Sequence, residues 1–252
     1  MPTGFSCIVQ VPGQDNPTGR TASLEARRFI ESHLQPALRT TRQKGYTLIE
    51  LALIVIVAGL VVGAVHAGRE LVAQARAQSL AGQFNSVRHA MQAYQDRFHA
   101  LPGDDRLAPE RLPGARVAAT SGNGVIDGAW NATAPTAEAV IFWEHLRLAG
   151  LAPPLEESGS GDPRPLHLAG GPLGVSSATP AQRQVAGLGG SFQLCAGAVP
   201  GRLALAVDRL LDDGDTSAGS VRLVPDGSAT NTAAVATTDV DEGASYTVCL
   251  SF

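Results

Sequence analysis

The chain has 252 residues, enough for one or two domains, with 44% hydrophobic residues and only 17% charged. Its net charge of −4 offers nothing to a nucleic-acid backbone. No phosphate loop, Gly-x-Ser-x-Gly elbow or His/Cys cluster with metal spacing is present, so the sequence indicates no enzyme class. Gly (28) and Pro (16) are plentiful, as suits an exported, loop-rich domain.

Residues 1–45 carry Pro2, Pro12, Pro17 and Pro36 and no long apolar run; Ser23 to Leu34 could form a short amphipathic helix. From Leu51 to Val65 there is neither a charge nor a proline. With Tyr46 to Ile49 ahead and Ala67 behind, the segment is about as long as a helix needs to cross a bilayer. The basic residues Arg39, Arg42 and Lys44 would hold their flank in the cytoplasm, so the rest of the chain should face outward. Glu50 lies near the start of the apolar segment. A carboxylate at membrane depth costs several kcal/mol, so it calls for a partner. Gly59 and Gly63 form a GxxxG pair with Ala67 on the same face. Such a stripe lets helices approach closely in lipid, and the same glycines also weaken the helix and can mark a bend. Two plainer readings stand beside these. One is a secretory signal peptide cut near Ala67, against which Glu50 argues. The other is a signal anchor on an extracytoplasmic binding module that does not polymerise.

One helix is expected from Tyr46 to about Phe98. In its second half Ala73, Ala77, Leu80, Phe84, Val87, Met91, Tyr94 and Phe98 recur at steps of four and three, which is one helix face and a core stripe. His89 and His99 read as surface or turn residues. Leu101-Pro102-Gly103-Asp104-Asp105 should stop the helix. Residues 106–134 read as an irregular crossing segment. Thr136 to Gly150 reads as a second helix, capped by Thr136, with Glu138 in its first turn and Gly150 at its end. Leu155 to Gly190 should be loop. Ser191–Val199, Ser220–Val224 and Ser245–Phe252 read as strands, and the Leu203, Val207, Leu210 spacing favours a helix over Arg202–Leu211. Cys7 precedes the membrane segment, on the reducing side, whereas Cys195 and Cys249 follow it and can pair with each other. Such a bridge would stabilise by roughly 3–4 kcal/mol; two free buried thiols are the other reading.

The run Lys44-Gly45-Tyr46-Thr47-Leu48-Ile49-Glu50, followed by an apolar stretch, resembles the class III signal of type IV pilins and type II secretion pseudopilins. The family usually has Phe where this chain has Tyr46, and many members have a proline where it has Ala67. The resemblance implies a prepilin peptidase cut between Gly45 and Tyr46, N-methylation of Tyr46, and a role for Glu50 in assembly. Cleavage would leave a charged amine next to hydrocarbon. Paired with the Glu50 carboxylate of a neighbouring subunit, it would be cheaper to bury and would set axial register. The implied organisation is a leader (1–45), a transmembrane half-helix (46–67), an amphipathic half-helix (68–99) and a globular head (100–252). The implied fold is α+β and pilin-like: a long helix against a small antiparallel sheet in a loop-rich head, stapled by Cys195–Cys249. The implied function is a structural, non-enzymatic subunit of a pilus or secretion pseudopilus. It would sit in the inner membrane with its amino terminus cytoplasmic and its head in the periplasm or an extracellular filament. Its partners would be other pilin subunits, the peptidase/methylase and a membrane assembly platform driven by a separate ATPase. Leu101-Pro102-Gly103-Asp104, Leu211-Asp212-Asp213-Gly214 and Gly219-Ser220-Val221-Arg222 resemble a minor-pilin-like subgroup.

No cofactor is required by this picture, but two oxygen-rich loops invite calcium. In Gly122–Gly128, Asn123 and Asp127 fall on ligand positions of a calcium loop, while Ala119 and Trp130 fall where its first and last carboxylates belong, so an EF-hand fails. Asp212, Asp213 and Asp215 form the second group, and some pseudopilins hold calcium in head loops. A pair of Asx and glycine turns fits these residues better.

Overall fold

The computed structural model describes residues 45–153, 155–157 and 164–252. The chain divides into two units, Met1–Val57 and Ala58–Phe252. Residues 1–44, with the basic run, Cys7 and the helix expected at Ser23–Leu34, lie outside the described residues.

Helix α1 runs Leu48–Phe98, 51 residues. Thr47 opens it: its hydroxyl accepts the Glu50 amide at 3.3 Å. This is the N-cap half of a Thr-x-x-Glu capping box, and it places the helix start two residues after Tyr46. Within described residues α1 is the one helix long and apolar enough to cross a membrane, and its apolar window is wholly exposed. It ends where His99 turns to φ 54, ahead of Pro102.

In the second unit the α1 stripe enters a core. Ala77, Leu80, Phe84, Val87, Met91 and Tyr94 are buried, Ala73 and Phe98 are half-buried, and His89 and His99 face solvent. The other wall is a four-stranded antiparallel sheet in the order β3-β4-β6-β5. Its strands are β3 (Leu173–Ser177), β4 (Phe192–Pro200), β5 (Val221–Pro225) and β6 (Ser245–Ser251). Strand alternation sends Leu194, Ala196, Val248 and Leu250 toward the α1 side of the core. Cys195, Cys249 and Val224 point the other way, where Trp130, Val185 and Leu188 cover them. Both sheet faces are thus buried. Cys195 and Cys249 are directly opposed in register, with Cα atoms 4.1 Å apart, and form a disulfide. On that same face, polar groups close their own network. Trp130 donates to Gln184 at 2.9 Å, Gln193 accepts the Gln184 amide at 2.9 Å, and Gln193 donates to Ser176 at 3.0 Å.

Helix α2 is the single turn Ala108–Arg111, inside the segment read as irregular. Helix α3 is Glu138–Leu148, shorter at both ends than expected; Ala137 holds the cap position without a side-chain bond, so Thr136 is not the cap. Its C-terminus closes on Gly150 at φ +70, with Leu151 N donating to Leu146 O at 2.9 Å and Gly150 N to Arg147 O at 3.0 Å. That is a Schellman motif, whose left-handed residue is why a glycine sits there. Helix α4 is Gly201–Leu211, as the leucine spacing indicated. A two-residue ladder joins β1 (Glu156–Glu157) to β2 (Pro165–Leu166). The region 155–190, expected to be loop, also contains β3. All five residues of β3 are buried, and a Cβ on Gly174 would stand 1.9 Å from the Trp130 carbonyl oxygen. A strand pressed against backbone needs small residues, and their presence hides it from a search for β-branched alternation.

Phe84→Ala removes a fully buried ring from the α1 stripe and should cost about 3–5 kcal/mol. Exposed Arg76→Ala should change stability by less than ~0.5 kcal/mol. Urea titration of the detergent-solubilised protein measures both.

Candidate functional site

The first unit is described from Gly45 onward. Among the described residues, none beyond its chain neighbour comes within 4 Å of a Cβ built on Gly45, and Tyr46 is 72% exposed. The Gly45–Tyr46 bond lies just before α1, ahead of its first helical residue Leu48. Glu50 is exposed and sits at the third position of the helix, where the positive end of the backbone dipole favours an acid. The Thr47 cap was written in the sequence as Thr-x-x-Glu.

In the second unit Gly59 and Gly63 also have open space where a side chain would begin. No part of the described chain fills that face.

The turn Leu101–Asp105 does more than end α1. The Asp104 carboxylate accepts the backbone amides of Gly122, Asn123 and Gly124, the last at 2.8 Å. Asp105 accepts the Tyr94 hydroxyl at 3.0 Å and Arg111 at 3.2 Å. Burial, followed by the Asp105 charge, pushes the Tyr94 phenol well above its ordinary value. From the other side, Glu138, 1% exposed, accepts Thr120 at 2.7 Å, Ser121 at 3.2 Å and the Asp127 amide at 2.7 Å. Two carboxylates thus hold the Gly122–Gly128 loop by its backbone. His145 receives the Gly103 amide on Nδ1 at 3.0 Å and meets the Arg116 carbonyl through Nε2 at 2.8 Å, so Nε2 carries the proton. His167 does the same with Ala169 and Gly197. Burial pushes both imidazoles below their ordinary value of 6.5.

Asn123 and Asp127 use their side-chain oxygens within the protein. Asn123 Oδ1 accepts the Val125 amide at 2.7 Å. Asp127 accepts Asn123 Nδ2 at 2.9 Å and Gln182 Nε2 at 3.0 Å. The second acidic group is divided. Asp215 turns to the Ser217 amide and hydroxyl, at 3.0 and 2.7 Å. Asp212 and Asp213 instead join Asp208, with one oxygen of each within 4.8 Å of the others. Asp208 is fully buried, and neither of its oxygens has a hydrogen-bond partner. Burial, with the charges of Asp212, Asp213 and Asp215, pushes its carboxyl up to about 6. Its position in the sequence, four residues before Asp212 on a helix, was the available signal.

Comparisons with protein-family models, curated proteins and solved structures return no match to this chain.

Asp104→Ala leaves three loop amides unpaired and should cost about 2–4 kcal/mol; faster hydrogen exchange at residues 122–124 would locate the loss. The buried histidines set a pH dependence. Their pKa is lower folded than unfolded, so below about pH 6.5 the unfolded chain binds more protons and stability falls. Between pH 7 and 5 the urea midpoint of the wild type should therefore drop further than that of the His145→Gln/His167→Gln double variant.

Proposed function

We propose that this chain is a structural, non-enzymatic subunit of a type IV pilus or a type II secretion pseudopilus. A prepilin peptidase cuts after Gly45, the new amine at Tyr46 is methylated, and subunits pack helix against helix through the apolar half of α1. The chain waits in the inner membrane, amino terminus inward and remainder outward, until an assembly platform and its ATPase draw it into a filament beside other pilin subunits. The reading rests above all on one feature: an apolar helix that begins directly after Gly45–Tyr46 carries a single acid, Glu50, in its first turn and no further charge up to Val65.

The physical account follows from that acid. In hydrocarbon the free amine of one subunit and the Glu50 carboxylate of another each need a counter-charge, and each supplies the other's. The open faces of Gly59 and Gly63 support close helix approach.

Intact-mass measurement of the membrane form tests the processing. A mature chain beginning at methylated Tyr46 is expected; an uncut leader would favour a signal-anchored binding module that does not polymerise. Glu50→Ala should insert and be cleaved as the wild type is, yet yield several-fold less filament by sedimentation and electron microscopy. Normal assembly of that variant would remove Glu50 from the mechanism.

A further inference from the structure

We infer that Asp208, Asp212 and Asp213 form a divalent-cation site at the end of α4, with spacing that suits calcium. It differs from the group read in the sequence: Asp215 stands outside it, and the buried Asp208 stands at its centre.

Three observations carry the assignment. First, Asp208 has no exposed surface and no hydrogen-bond partner on either oxygen. A buried carboxylate with neither is among the costliest arrangements in a protein, and a bound metal is a regular remedy. Second, its neighbours aggravate the cost. Asp208 lies in the last turn of α4 and Asp212 is the C-terminal cap residue. Two further acids and the negative end of the helix dipole are thus gathered where a cation is favoured. Third, the geometry closes on an ion. One oxygen from each carboxylate lies within 4.8 Å of the others. Oxygen ligands stand about 2.3–2.6 Å from calcium, so two ligands of one ion are at most about 5 Å apart. Magnesium, at about 2.0–2.1 Å, draws its ligands within roughly 4.2 Å and demands stricter octahedral order.

The surrounding chain holds these groups in place. Asp212 Oδ2 accepts the amides of Ser220 and Val221, the latter at 2.9 Å, and Asp213 Oδ1 accepts that of Asp215 at 2.9 Å. Asp213 is exposed, which leaves solvent able to complete the coordination. Three carboxylates around the end of one helix, with water for the remainder, fit the weak range of extracellular calcium modules, about 10⁻⁴–10⁻³ M.

The test uses the full chain in detergent, stripped with chelator and then given calcium or magnesium chloride, with thermal unfolding as readout. Calcium at about a hundred times its dissociation constant should raise Tm by roughly 5–10 °C, and magnesium by less. Asp208→Asn and, separately, the exposed Asp213→Asn should each abolish most of the shift. Asp215→Asn, which changes the same charge in the same loop, should keep it. The site is refuted if neither cation shifts the wild type, or if both ligand variants respond as fully as it does.

Discussion

Everything in the second unit depends on one apolar stripe finding a wall. Leu80, Phe84, Val87, Met91 and Tyr94 leave water only because the inner face of the sheet and the apolar side of α3 stand opposite them. A long helix with one oily face has little reason to be stable alone in water. The sheet has equally little reason to stay flat and exposed. Each supplies the surface the other must bury, and the segments between them serve that contact.

Those segments are held by charge as well as by oil. In the Gly122–Gly128 loop Ile126 is buried in the core, but the polar backbone around it would be expensive to bury unpaired. Asp104 and Glu138 resolve this from opposite ends, each accepting several donors. The arrangement explains why Asp104 and Glu138 are buried. It also explains why Tyr94, on the helix stripe, reaches Asp105 in the turn that follows α1: helix and loop share one hydrogen-bonded seam.

Periodic and covalent features were the most legible in the sequence. The stripe of α1, the leucine spacing of α4, the strands around Cys195 and Cys249 and the disulfide itself all follow from alternation or topology. Strand β3 was hidden because Leu173-Gly174-Val175-Ser176-Ser177 is chosen for small size beside Trp130, not for β-propensity. The cap of α3 was misread because Thr136 is a good cap residue, whereas the chain bends into the helix at Ala137 and meets its first orphan amides without a side chain. Of the site residues, Thr47 follows from capping-box spacing. The roles of Asp104 and Glu138 could not be read, since their partners are amides 11 to 20 residues away. Asp208 was overlooked because an acid in an amphipathic helix reads as solvated until the fold buries it.

Strand β6 has a consequence for how the second unit is made. β6 is not an edge: it lies between β4 and β5, paired with both, and carries one half of the disulfide. As the chain emerges in order, β5 is therefore produced before the strand it must pair with. Until Ser245–Ser251 arrives, β4 and β5 each present an unsatisfied backbone edge and Cys195 has no mate. The sheet thus closes like a drawer whose late panel slides into the middle, and its open edges last until that panel is in.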